Sequence, residues 1–169
     1  MTVLHHRVIR YDLPGHGRSP AELLGDGAGV GDIADLVLRL ADHLGIDTFA
    51  YAGISLGGAV GMWLAVHHPE RVTALALVCT SARFDEPAAW HERAALVRAE
   101  GIDPVAATAA GRWFTAAFAD DPAADAMLAH LRAVDARAYA AAFTIAGRIV
   151  DEERTRTGGT ATGRSTITP

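Results

Sequence analysis

Lysine is absent from this chain of 169 residues: all 15 basic side chains are arginine, set against 20 acidic ones for a net charge of −5. The arginines are dispersed and form no basic stripe, which argues against nucleic acid as a partner. Cysteine is nearly absent as well. Cys79 cannot form an internal disulfide, which suits a reducing cytoplasm, and its place in an apolar run assigns it to packing. No basic region followed by an apolar stretch opens the chain, and no window approaches a membrane span, so the expectation is a soluble cytoplasmic protein with no membrane partner. Internal repeats, metal-ligand spacings and a separate glycine-rich phosphate loop are missing too, so no metal is expected. What the chain does have is apolar content, 50% with a mean hydropathy of +0.17, enough to bury a core.

The stretch richest in chemistry is Tyr51 to Met62, YAGISLGGAVGM, in which Gly53-Ile54-Ser55-Leu56-Gly57 fits the pattern G-x-S-x-G. In its usual setting this is a nucleophile elbow, a strand running into a helix through a very tight turn. The flanking positions are expected to be glycine because a Cβ at either would strike neighbouring backbone. Ser55 then points clear of both elements at a helix N-terminus, where unpaired N–H groups and the positive dipole end favour a developing oxyanion. The N–H of Leu56 is the natural first donor. The context agrees with this reading. Asp47 to Ala52 is a short apolar run bounded by Gly45 and Gly53, a buried strand, and Gly58 to His68 reads as a buried helix stopped by Pro69.

Upstream, Val8 to Tyr11 reads as a strand, and Leu13 to Pro20 as a turn-rich loop. His16 in that loop is better read as bonding its own backbone than as a catalytic base. From Asp32, the residues Ile33, Leu36, Val37, Leu40 and Leu44 fall on one helical face, and Gly45 is a plausible stop. Downstream of the elbow helix, which leaves His67 and His68 at the surface, Val72 to Cys79 is fully apolar and reads as a central strand. Strands and helices in this alternation predict parallel pairing, right-handed crossovers and helices on both faces of the sheet.

From Arg83 the character changes. Residues 84–150 hold no clear strand, are rich in alanine, and are punctuated by Pro87, Pro104 and Pro122. Their aromatic residues, Trp90 and Trp113 among them, fall at helical spacing and read mostly as the helices' own core. These helices are expected to cap the elbow side, where active sites of open α/β sheets lie. Residues 151–169 are polar and rich in Thr, Gly and Arg, and are expected to stay disordered. The expected organisation is a core over 1–82, a helical cap over 83–150 and a tail over 151–169.

Taken together these residues resemble the α/β-hydrolase family, and within it the 3-oxoadipate enol-lactonases of aromatic-compound catabolism. YDLPGHGRSP is similar to the family's loop after an early central strand, IADLVLRLADHLGI to its next helix, and GISLGGAVGMWLAVHHPERVTALALVCTSARF to the elbow and following strand. PAAW from Pro87 and RWFT from Arg112 resemble the enol-lactonase cap. The resemblance covers residues 8–150. It implies an α/β fold, a partial α/β-hydrolase core of parallel sheet and flanking helices plus a helical cap. It also implies cofactor-free acyl transfer on a small-molecule ester or lactone, with Ser55 attacking the carbonyl. The substrate's carboxylate calls for an arginine, for which Arg83 and Arg112 are candidates, with Trp90 and Trp113 as apolar walls. An ordinary ion pair explains either arginine as well.

The family's chain order is Ser, then an acid, then His. Here no histidine follows His130, and the strands before Val8 and the loop that supplies the second oxyanion N–H have no counterpart. The sequence therefore resembles the middle of a hydrolase, cut at both ends. Asp85 or Glu86 could stand in for the acid, whereas His91 and His130, the candidates for a base, lie in the cap. A generic esterase or a haloperoxidase-like hydrolase is the rival enzyme reading; dehalogenases and epoxide hydrolases need Asp at the elbow. An inactive fragment, or one acting only by binding, is the rival outside enzymes. Unpaired sheet edges in such a fragment would favour self-association.

Overall fold

The computed structural model describes residues 7–25, 27–81 and 87–156. Helix α1, Val30–His43, forms because Ile33, Ala34, Val37, Leu38 and Ala41 recur at helical spacing and are all buried on one side. Its start is tied by the Asp32 carboxylate, which accepts the Gly29 N–H at 2.7 Å. That is half of a capping box, since glycine has no side chain to return the bond. Its end is a Schellman motif on the expected glycine: Gly45 sits at φ +67, Gly45 N–H donates to Asp42 O at 3.0 Å and Ile46 N–H to Ala41 O at 2.9 Å.

Strands β1, Phe49–Ile54, and β2, Val72–Val78, pair in parallel in a register running from Ala50 opposite Ala74 to Ile54 opposite Val78. Between them lies α2, Leu56–His67, which packs on both strands and on α1. The approach is close at Gly61, where a Cβ would lie 2.7 Å from Tyr51 Cδ1 and 2.9 Å from Leu75 Cδ1. Arg71, in the turn before β2, staples the entry to β1. Its guanidinium donates to the carbonyls of Asp47 at 2.6 Å and Ile46 at 3.1 Å and to Asp42 Oδ1 at 2.7 Å.

Several expectations need correction. Residues 7–13 form no strand, so the sheet among the described residues has two strands rather than three. Val8 to Tyr11 has the composition of a strand, but the ladder among the described residues joins only β1 and β2. The apolar run of β2 suggested a central strand covered on both faces, yet only Val72 is half-buried and Thr73 to Val78 are exposed. Among the described residues α2 packs on the strand pair, and β1 is the one neighbour of β2. For the same reason Cys79, just beyond β2, is exposed rather than packed. β1 begins later than the expected Asp47 and continues through Ile54, because Asp47 belongs to the turn held by Arg71.

After β2 the described residues are helical: α3 Pro87–Glu100, α4 Asp103–Trp113, α5 Ala116–Ala119, α6 Pro122–Arg132 and α7 Ala136–Arg156. Pro87, Pro104 and Pro122 each stand in a first turn, where the missing N–H costs nothing. Asp121 caps α6 by accepting the Ala123 N–H at 2.8 Å. Helix α7 extends to Arg156, into the stretch expected to lack structure; the rest of that stretch lies outside the described residues.

The chain divides into two compact units. One comprises Met1–Asp26 and Leu96–Ala140. Its core holds Val105, Ala106, Ala109, Ala124 and Leu131, and its 13–19 loop docks on the start of α7, with Asp135 N–H donating to Gly15 O at 3.1 Å. The other comprises Gly27–Ala95 and Ala141–Pro169 and contains the sheet, with Ile33, Val60, Leu64 and Ile145 fully buried.

Candidate active site

The end of β1 runs straight into α2 through Ser55. This residue takes φ +52 and ψ −119, a combination that L side chains adopt only at a cost of about 1–3 kcal/mol. The conformation is fixed from both ends of the residue. Ser55 N–H donates to Val78 O at 3.0 Å, and Ser55 O accepts from Gly58 N–H at 2.9 Å, from Ala59 N–H at 3.2 Å and from the Thr80 hydroxyl at 2.7 Å. Ser55 is the N-cap of α2, yet its hydroxyl makes no capping bond and the residue is exposed. Capping serines ordinarily spend that oxygen on the N2 or N3 amide. Here no capping bond uses it, and it stands at the helix start with the first-turn N–H groups of Leu56 and Gly57, which have no acceptor within the helix.

The two glycines of the pattern are not equivalent. A Cβ on Gly53 would overlap the carbonyl group of Gly57 and lie 2.7 Å from Gly58 N, all of it backbone, as the expectation held. Gly57 is the correction, for a Cβ there meets nothing within 4 Å. The second glycine that sterics demand is Gly58, whose Cβ would lie 2.6 Å from Thr80 Cβ and 2.8 Å from its Oγ1. The elbow is therefore tight against β1 and against Thr80, and open on the side of Gly57.

Of the other residues singled out in the sequence, Trp90 shares a unit with Ser55. It is half-buried against Ala59 of α2, in a cluster that also includes Val30, Leu56 and Met62. Phe143 tilts against its ring at 5.6 Å, and the Arg93 guanidinium lies over it at 5.2 Å. Arg112 and Trp113 end α4 in the other unit; both are exposed, and Trp113 meets Phe114 edge-on at 6.4 Å. Arg83, Asp85 and Glu86 lie outside the described residues. His16 Nδ1 pairs with its neighbour's carbonyl, Pro14 O, at 3.1 Å, in line with the backbone-bonding reading. His91 and His130 are exposed, and His130 Nδ1 pairs with Ala126 O at 2.9 Å. Among the described residues no histidine is hydrogen-bonded to Ser55, and no group of side chains could hold a metal ion. Sequence reasoning missed Thr80, Gly58 and Arg93. The signal for Arg93 was its i+3 spacing from Trp90; Thr80 and Gly58 meet only once β2 lies beside β1.

A strand–serine–helix junction beside a parallel strand, with the serine at positive φ, is the arrangement of the α/β-hydrolase class. The chain belongs to that family: the model of the alpha/beta hydrolase fold matches residues 2–147. It is 43% identical over 114 residues to 3-oxoadipate enol-lactonase 2 of Acinetobacter baylyi, a match covering 68% of this chain and 42% of that protein. Among solved structures, it superposes on a hydrolase from Pseudomonas aeruginosa with a TM-score of 0.76 at 35% identity, over 85% of this chain and 54% of that one. The enol-lactonase from Burkholderia xenovorans gives a TM-score of 0.73 at 34% identity, over 81% and 53%. The chain thus spans about half the length of the relatives it matches.

Proposed function

We propose that this chain carries the nucleophile of a cofactor-free carboxylic-ester or lactone hydrolase, with an enol-lactone such as that of 3-oxoadipate as the substrate class. The observation that carries the reading is Ser55 at an N-cap in a strained conformation, its hydroxyl spent on no capping bond. Ser55 Oγ would attack the lactone carbonyl, the new C–O bond forming as the carbonyl π pair moves onto oxygen. The resulting oxyanion is met by the Leu56 N–H. Collapse expels the ring oxygen as an enolate, which takes up the proton given up by the Ser55 hydroxyl and becomes a ketone, and water then cleaves the acyl-serine to the carboxylate, returning the proton to Ser55. Trp90, packed like Leu56 against Ala59 of α2, is suited to an apolar wall of such a site. The likeness to two enol-lactonases supports the choice of lactone over other esters.

A second reading, binding without turnover, draws on the lack of a histidine hydrogen-bonded to Ser55 among the described residues. Without a base a serine hydroxyl is a weak nucleophile at neutral pH. Treatment with a fluorophosphonate followed by intact mass separates the two. One adduct per chain, lost in Ser55→Ala, is expected for the hydrolase; folded protein that takes no adduct would assign the chain to the second reading.

A further inference from the structure

The geometry points to Thr80 as a positioning residue that aims the oxyanion donor of the elbow, an inference that rests on Ser55 and Leu56 having the roles just proposed. The Thr80 hydroxyl donates to Ser55 O at 2.7 Å. That oxygen belongs to the same peptide unit as the Leu56 N–H. A peptide is planar and trans, so its C=O and N–H point in opposite directions, and fixing one fixes the other. A hydrogen bond to the carbonyl also polarises the amide and makes its N–H the stronger donor. The chain of dipoles runs from Thr80 Oγ1–H through Ser55 C=O to Leu56 N–H and on to the site where an oxyanion would form.

Three further observations show that this contact is built into the fold. Ser55 N–H donates to Val78 O at 3.0 Å, one step beyond the Ile54–Val78 register pair, so the end of β2 holds the serine itself. Cys79, the next residue, takes φ +44, in the left-handed region that residues other than glycine seldom enter. With Ser55 it is one of the two such non-glycine residues among the described ones, and it immediately precedes the residue that bonds back to Ser55. Gly58 leaves the space that Thr80 fills, since a Cβ there would lie within 2.8 Å of Thr80 Oγ1. The strain at Cys79 and the missing side chain at Gly58 are both accounted for if the chain has to bring a hydroxyl onto the Ser55 carbonyl.

The test compares Thr80→Val, which keeps the shape and loses the hydroxyl, with Thr80→Ser, which keeps the hydroxyl. Two readouts are taken on the full chain: the second-order rate of fluorophosphonate labelling at Ser55, and the Leu56 amide resonance with its hydrogen-exchange rate. Thr80→Val is expected to slow labelling about tenfold, short of the 10²–10³ that follows outright removal of a donor. Its Leu56 ¹⁵N signal should move upfield and its amide exchange should slow, by up to about fivefold, because the N–H loses the polarisation that made it the stronger donor. Thr80→Ser should restore both to near the parent values. An unchanged Leu56 resonance in Thr80→Val, an unchanged labelling rate in a chain that labels, or a Thr80→Ser as defective as Thr80→Val overturns the inference. A parent chain that takes no label counts against the proposed activity instead, and the Leu56 signal then decides on Thr80 alone.

Discussion

The inequivalence of the two elbow glycines makes the sharpest stability prediction. In Gly53→Ala the new methyl meets the Gly57 carbonyl and Gly58 N, atoms that no rotamer change can move. Relief requires the first turn of α2 to withdraw from β1, pulling against the bonds that Ser55 O receives from Gly58 and Ala59. Overpacking of a well-packed site costs about 1–3 kcal/mol, and contact with backbone places this case at the top of that range. The lower entropy of the unfolded alanine chain returns only about 0.4–1 kcal/mol. A net loss of about 2–3 kcal/mol corresponds to a fall in Tm of about 4–12 °C for a chain of this size. Gly57→Ala is the control. It lies in α2 with nothing within 4 Å of its Cβ position, so the substitution should gain about 0.5–1 kcal/mol from helix propensity. Thermal unfolding followed by far-ultraviolet circular dichroism measures both. A Gly57→Ala as damaging as Gly53→Ala, or a Gly53→Ala that melts with the parent, would refute the steric account of the elbow.

Three further substitutions test the packing behind it. Arg71→Met keeps the stem and removes the three hydrogen bonds that hold the entry to β1, and is expected to cost about 1.5–3 kcal/mol by urea denaturation. Asp42→Asn removes only the exposed half of that ion pair and should cost under about 1 kcal/mol by the same measurement. Leu64, fully buried in α2, should lose about 2–5 kcal/mol on conversion to alanine, read from the shift in urea midpoint.

What could be read from the sequence follows the range of the forces involved. Helix α1, its glycine stop at Gly45 and the elbow at Ser55 are specified by residues within one or two turns of each other, so local periodicity and turn chemistry were sufficient. The strand expected at Val8 failed because a strand exists only through its neighbour. The burial expected for β2 and Cys79 failed for a related reason. VTALALV is the composition of a strand covered on both faces, and composition carries no count of the elements present to cover it. Thr80 was invisible for a third reason, since its partner is 25 residues away in the chain.

That last case bears on how such a site is held. A serine at φ +52 would relax to an ordinary strand or helix conformation unless its surroundings over-determine it. The restraint comes from both sides of the residue: β2 takes its N–H, and the start of α2 together with Thr80 takes its carbonyl. None of these bonds uses the side chain, so backbone groups together with the Thr80 hydroxyl fix where Ser55 sits, and its own hydroxyl makes no capping bond. The same division explains why the sterically demanded glycines are Gly53 and Gly58 rather than the two that frame the motif. They are the positions where β1 and Thr80 press against the turn. The side facing Gly57 carries no such pressure and is left open beside the Leu56 and Gly57 amides, where an oxyanion would have to enter.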